Sequence, residues 1–232
     1  MSRKRTAIIG LLVLMLVLLS YLFVSSQNRS VTYLSYTVTH SLKHVTLDEV
    51  DDAMVPFLAQ SFWEVDLVGL KQALEQINWV HAATIKRSWP GYLNIALEEH
   101  VPIARWGDDA LISQYGEIFQ PTSMQEFELL VRLEGDRLQS ASLLNNWRKI
   151  DQQLNPLGWQ VLGLTQQVDG VFRVKLNVGK ELLFDTPNRV DKLQRFVQAY
   201  PQLSKKLVES AVGFDLRYSN GVAIKLASSQ SN

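Results

Sequence analysis

The chain has 232 residues, 23 Lys and Arg against 23 Asp and Glu, and no cysteine, with 47% of its residues hydrophobic. Balanced charge argues against electrostatic binding of nucleic acid, which needs a concentrated basic surface to neutralise phosphates. The absence of cysteine excludes a disulfide framework and thiolate metal sites, and it is compatible with an oxidising compartment.

Residues 1–5 carry Arg3, Lys4 and Arg5, and Thr6 to Val24 then reads TAIIGLLVLMLVLLSYLFV, without a charge. A helix of that length crosses about 30 Å of hydrocarbon. It lacks the polar stripe of a core helix, and basic flanks stay on the cytoplasmic side. The expectation is a cytoplasmic tail over 1–5, one transmembrane helix over 6–24, and everything beyond exported. The competing reading is a cleaved signal peptide. Against it stand a run longer than the usual apolar region of about 7–15 residues and the lack of an A-x-A-like site. Residues 25–30 read as a linker.

Residues 31–99 read as a first small domain. Tyr33 to Thr39 is rich in β-branched and aromatic residues, which predicts a strand. Thr46 and Glu49 have capping-box spacing, and Leu47, Val50, Met54 and Leu58 continue at helical intervals, with Pro56 shortening or kinking the helix. Asp66 is a candidate cap for a second helix whose Leu67, Leu70, Leu74 and Ile77 share a face. Val80 to Arg87 and Tyr92 to Glu99 read as two strands around Ser88-Trp89-Pro90-Gly91. The order is β-α-α-β-β, two helices against a three-stranded sheet.

Phe62-Trp63 before Val65-Asp66-Leu67, Trp79-Val80, Lys86-Arg87 before Trp89-Pro90, and Glu99-His100 before Pro102 with Ala104-Arg105-Trp106 form a specific run of matches. This stretch resembles the POTRA domain of the FtsQ/DivIB family of bacterial cell-division proteins, in its Gram-negative form.

Residues 100–226 read as a second, distal β domain with two helices and a mainly antiparallel sheet, so that the fold class is α+β. Leu111-Ile112 and Ile118-Phe119 around Gly116 predict a short strand pair, and Glu128 to Leu133 another strand. Leu143, Trp147, Ile150 and Leu154 define a helix ended by Asn155-Pro156-Leu157-Gly158. Gln160 to Thr165, Val171 to Val178 and Leu182 to Phe184 are β-like, with Phe172, Val174, Leu176 and Val178 on one face. A second helix, with Asn188 as candidate cap, carries Val190, Leu193, Phe196, Val197 and Tyr200. Gly213 to Tyr218 and Val222 to Leu226 are predicted strands joined at Ser219-Asn220-Gly221, where Asn-Gly favours a tight hairpin. The last strand is a candidate sheet edge able to recruit a strand from another protein. Residues 227–232 read as a disordered tail.

The segment FDLRYSNG matches the family positions VDLRY-x-x-G. The resemblance implies that this distal domain docks the FtsB/FtsL subcomplex, with Arg217 pairing a carboxylate, Tyr218 as an amphipathic anchor, Asn220 in the turn, and Gly221 admitting the partner backbone. Lys225 and Leu226 complete the expected partner-binding set, although they stand where the family offers Gly-Trp. It further implies an essential divisome scaffold in the inner membrane at the septum. The scaffold would face the periplasm and link early to late division proteins, with homologues of FtsK, FtsN, FtsW and FtsI as further partners.

No motif for catalysis emerges. His40, His44, His81 and His100 lack ligand spacing, and Asp51-Asp52, Glu98-Glu99 and Asp108-Asp109 place neighbours on opposite sides of a strand or apart on a helix. No GxSxG, HExxH or phosphate-cradling loop is present. Neither cofactor nor metal is expected. Trp79, Trp147 and Trp159 suit core or helix-face positions. Trp63, Trp89 and Trp106 suit packing, with a partner surface as the alternative. Lys86-Arg87 reads as an exposed strand end, with anionic headgroups or a partner as alternatives. The runner-up function is a membrane-anchored POTRA chaperone or translocation component that handles exported polypeptides by strand addition; a cell-wall hydrolase is a distant third.

Overall fold

The computed structural model describes residues 14–21, 35–39, 42–89, 91–185 and 189–227. The predicted tail, linker, most of the 6–24 span, the Asn188 cap and residues 228–232 lie outside them. Residues 14–21 are helical (α1). Among the described residues no helix is long and apolar enough to cross a membrane. The chain divides into two compact units, meeting in sequence between Glu99 and His100.

The first unit is built from β1 (Ser35–Val38), α2 (Leu47–Met54), α3 (Leu67–Glu75), β2 (Val80–Ser88) and β3 (Tyr92–Glu99), with sheet order β1-β3-β2. β1 runs parallel to β3, and β2 antiparallel to it. Local chemistry sets both helix starts. The Thr46 amide donates to Glu49 at 2.8 Å while Thr46 Oγ1 accepts from the Glu49 amide, and Asp66 Oδ1 accepts from the amides of Val68 and Gly69. Each such cap satisfies donors that a helix leaves unpaired. Pro56 falls in a 3₁₀ turn, Val55–Phe57, so α2 ends before it. Val50, Met54, Leu70 and Leu74 meet Leu93 and Ile95 in a fully buried core, the alternation along β3 sending Asn94 and Glu98 outward. Trp63 and Trp89, expected to pack, are instead 72% and 81% exposed.

Glu99 ends β3 and organises the approach to α2. Its carboxylate accepts from the amides of Lys43, His44 and Val45 at 2.9–3.1 Å. Burial pulls its pKa upward, but the three amides and the nearby His44 ring outweigh that and leave it below the ordinary glutamate value.

The second unit holds β4 (Pro102–Trp106), β5 (Ala110–Ser113), β6 (Ile118–Phe119), β7 (Arg132–Glu134), α4 (Ser140–Leu154), β8 (Val161–Gln166), β9 (Phe172–Leu176), β10 (Glu181–Phe184), α5 (Arg189–Ala199), α6 (Lys205–Ser210), β11 (Ala211–Asp215) and β12 (Ala223–Leu226). One nine-stranded sheet runs β12-β11-β10-β9-β8-β7-β4-β5-β6. Most of its pairs are antiparallel, as expected, but the sheet is mixed: β4 with β7, β7 with β8, and β10 with β11 are parallel. Parallel neighbours need crossovers, which α4 supplies between β7 and β8, and α5 with α6 between β10 and β11. Leu143, Leu144, Ile150 and Leu154 of α4 and Leu193 and Phe196 of α5 close the core against the sheet.

Several sequence-based expectations are corrected here. The 128–133 strand is only Arg132–Glu134, because the amides of Phe127 and Leu130 bond back three residues in turns and inward alternation begins at Val131. Val178 leaves the strand face for the β9–β10 turn, where Gly179 takes φ 71° and Leu176 exchanges bonds with Lys180 and Gly179. A third helix, α6, is present, capped by Ser204. The expected helix end at Gly158 is formed, with φ 70° in the left-handed region that glycine adopts without strain.

Replacing Glu99 by Gln should destabilise the first unit by about 1–3 kcal/mol, since three amides lose a charged acceptor. In the wild-type chain the same stabilisation is present above the ordinary glutamate pKa and lost as pH falls through the depressed folded value. Hydrogen exchange across residues 42–99 as a function of pH checks both statements, and E99Q should show neither the protection nor its acid loss.

Candidate partner-binding edge

β12 is the terminal strand of the sheet, paired only with β11 among the described residues, with Gly213 opposite Lys225 and Asp215 opposite Ala223. β11 lies so close to β10 that a Cβ on Gly213 would stand 2.9 Å from the Glu181 carbonyl oxygen. Behind these strands Trp159, Phe196, Tyr200 and Phe214 form one aromatic cluster, with ring centroids 4.6 Å apart for Trp159 and Tyr200 and 5.0 Å for Phe196 and Phe214. Burial raises the Tyr200 pKa. These large rings make a stiff backing for the two edge strands.

The tight hairpin expected at Asn220-Gly221 is not made. Residues 216–222 form a longer connection, and Gly221 does not adopt the positive φ that a primed turn requires. Competing hydrogen bonds explain this. The Leu216 amide continues the ladder onto Leu183 at 2.7 Å, Lys192 Nζ donates to the Arg217 carbonyl at 2.9 Å, and Arg195 Nη1 to the Ser219 carbonyl at 3.1 Å. Lys192 also pairs with Asp185 at 2.7 Å and is almost buried. Two cations of α5 therefore hold the loop by its backbone, with the side chains of residues 217–222 exposed and Leu216 in the core.

The expected site residues fall into two sets. Arg217, Tyr218, Asn220 and Gly221 lie on the loop, and Lys225 and Leu226 on β12; all six are exposed, Tyr218 by 59%. Arg217 is already engaged: Nε and Nη2 donate to Asp215 at 2.6–3.1 Å. A guanidinium has five N–H donors, so this leaves several for a second carboxylate. The Arg217 hydrogen bond, acting against burial and assisted by the charges of Arg217 and Lys192, holds the Asp215 carboxyl below the usual aspartate value. Lys192 and Arg195 were not singled out in the sequence. Together with Phe196, Tyr218, Asn220 and Gly221 they line a pocket of about 210 Å³ between α5 and the loop. Their only sequence signal is the i, i+3 spacing of two cations beside the buried Leu193 and Phe196.

His44 stacks on Trp79 at 3.8 Å and His100 on Phe119 at 4.4 Å, while Asp108 pairs with Arg132 at 2.8 Å.

Comparison with known proteins fits this architecture. Residues 37–100 match the family model for the POTRA domain, FtsQ-type, and residues 104–217 that for cell division protein FtsQ/DivIB, C-terminal. Over 188 residues the chain is 31% identical to cell division protein FtsQ of Coxiella burnetii, covering 81% of this chain and 77% of that protein. The chain belongs to the FtsQ family. It is also 31% identical over 184 residues to FtsQ of Nitrosospira multiformis, covering 79% of this chain and 77% of the relative. FtsQ of Allochromatium vinosum is 28% identical over 228 residues, 98% of this chain and 91% of the relative. Cell division is thus the process in which this FtsQ-type chain takes part. Of the six expected site residues, only Arg217 lies inside the matched C-terminal segment.

Acid titration should loosen the loop below the ordinary aspartate range, because ordering by the Asp215 carboxylate is present above its unfolded pKa and lost as pH falls through the depressed folded value. NMR shifts of residues 215–221 should report that transition, and Arg217→Gln should move it to higher pH.

Proposed function

We propose that the chain is a non-enzymatic divisome scaffold, held in the inner membrane by the helix over residues 6–24, with both folded units in the periplasm at the septum. In this reading the distal unit docks the FtsB/FtsL subcomplex along β12 and the adjoining 216–222 loop. The POTRA unit engages other division proteins, homologues of FtsK, FtsN, FtsW and FtsI among them. The observation that carries the reading is the pairing of an open sheet edge with an exposed loop fixed from behind by Lys192 and Arg195.

An added strand would gain main-chain hydrogen bonds along β12, and the loop would read its neighbouring side chains. Tyr218 offers a large ring with few torsions to freeze, and Arg217 offers its remaining donors to an acidic side chain while Asp215 keeps the guanidinium oriented. At Gly221 a Cβ would meet nothing within 4 Å in the free chain, so the space above it is available to a partner backbone. Lys225 and Leu226 would contribute a charge and an apolar contact at the strand end.

The test is affinity of full-length chain in nanodiscs for the purified FtsB/FtsL subcomplex of the same cell. Tyr218→Ala should weaken binding about 30-fold, on the scale of an interface hot spot of about 2 kcal/mol. Gly221→Leu should weaken it at least about tenfold while leaving the melting temperature unchanged, since the substitution meets open space. Unaltered affinity in both variants would move the docking site elsewhere. Resistance of the wild-type chain to carbonate extraction from inner membranes tests the anchor separately.

A further inference from the structure

From the register of the first sheet we infer that the hairpin end of the POTRA unit rests on the membrane surface and inserts Trp63 and Trp89 among the lipid headgroups. The inference builds on the proposed anchor over residues 6–24. β1 is parallel to β3, and Ser35, its first residue, stands opposite Tyr92, the first residue of β3. Ser88, the last residue of β2, faces that same Tyr92. The chain arriving from the apolar segment therefore enters the unit at the end that carries the β2–β3 turn, and it leaves at Glu99, the opposite end of β3. Only residues 25–34 separate the apolar segment from Ser35. Fully extended, ten residues reach at most about 36 Å.

At this entry end the unit displays aromatic rings it does not bury. Trp89 lies in the turn, 81% exposed, beside the half-exposed Tyr92. Trp63 is brought to the same end by Arg87, whose Nε donates to the Phe62 carbonyl at 3.1 Å and whose Nη2 donates to those of Trp63 and Val65 at 3.4 and 3.0 Å. The guanidinium thus binds the 62–65 loop to the last turn of β2 and leaves the Trp63 ring 72% exposed. Lys86, exposed on the same strand, supplies a positive charge. Tryptophan favours the headgroup region, where the ring loses water and its N–H keeps a partner, and lysine favours anionic phosphates. A short tether, exposed indoles and a cation at one end of the sheet are the ingredients of a lipid contact.

The apolar segment contains no tryptophan, so indole fluorescence reports only on the units beyond it. Trp79, Trp106 and Trp159 are buried and Trp147 is half-buried. Full-length chain is placed in vesicles of phosphatidylethanolamine and phosphatidylglycerol, with or without bromine on the upper acyl carbons. The expected result is quenching of tryptophan emission by the brominated lipid that falls by at least half in Trp63→Phe/Trp89→Phe and by a smaller share in each single variant. Incorporation without quenching would overturn the inference, whether the surface is bare or serves a protein partner. Quenching that persists undiminished in the double variant, with its circular dichroism unchanged, would also overturn it by placing the lipid contact elsewhere. A chain that fails to enter the vesicles would overturn the anchor itself, and this inference with it.

Discussion

The arrangement of the distal unit follows from the parallel placement of β11 beside β10. A strand parallel to its predecessor cannot be reached by a tight turn, so the chain must cross over the sheet before it can pair. That crossing is made by α5 and α6, and it brings Phe196 and Tyr200 onto Trp159 and Phe214. The backbone approach at Gly213, where a side chain would strike Glu181, makes the pairing possible. β11 then occupies the free edge of β10, and β12, folding back antiparallel, becomes the new edge.

An open edge is a liability as well as a binding device, because any strand of suitable length can add to it. Here β12 has only four residues and carries the exposed Lys225. These features restrict what can pair. In the proposed docking the adjoining loop would add selectivity of another kind. Two of its carbonyls, those of Arg217 and Ser219, are taken by Lys192 and Arg195, so the exposed side chains are presented from a backbone that is held from behind. An interface on such a surface loses less conformational entropy on binding than one on a mobile hairpin would. The Lys192–Asp185 pair ties that order to the end of β10, so loop and sheet act as one piece.

What could be read from the sequence was chemistry that is local along the chain. Thr46 with Glu49, Asp66 before its helix, Gly158 after one, and the alternation of Leu93, Ile95 and Leu97 each involve residues within a few positions of one another. The β-α-α-β-β order followed from them, and the family resemblance rested on a contiguous run through the same unit. The failures are non-local. Glu128 to Leu133 has strand-like composition, but only Val131 onward finds a neighbour to pair with. Asn220-Gly221 has the residues of a tight turn, but cations on α5 and the Leu216–Leu183 bond draw the chain into another path. Parallel pairing leaves no mark within either strand. For the same reason Lys192 and Arg195 read as ordinary helix-surface cations until the loop they hold was placed against them.

The proposed membrane tether would change what strength these contacts need. A chain confined to a membrane meets a partner in the same membrane at an effective concentration set by the reach of its linker, so an interface that is weak in solution can be occupied at the septum. The proposed lipid contact would act in the same direction. If the entry end of the POTRA unit lies on the headgroups, the orientations open to that unit are fewer than its linker alone would permit. Fewer orientations raise the local concentration of its remaining surfaces toward partners approaching from the same membrane, because the same number of chains samples a smaller volume. In that case Arg87 has its effect by fixing where Trp63 stands. Its loss would be felt as a broader distribution of domain orientations rather than as a missing contact.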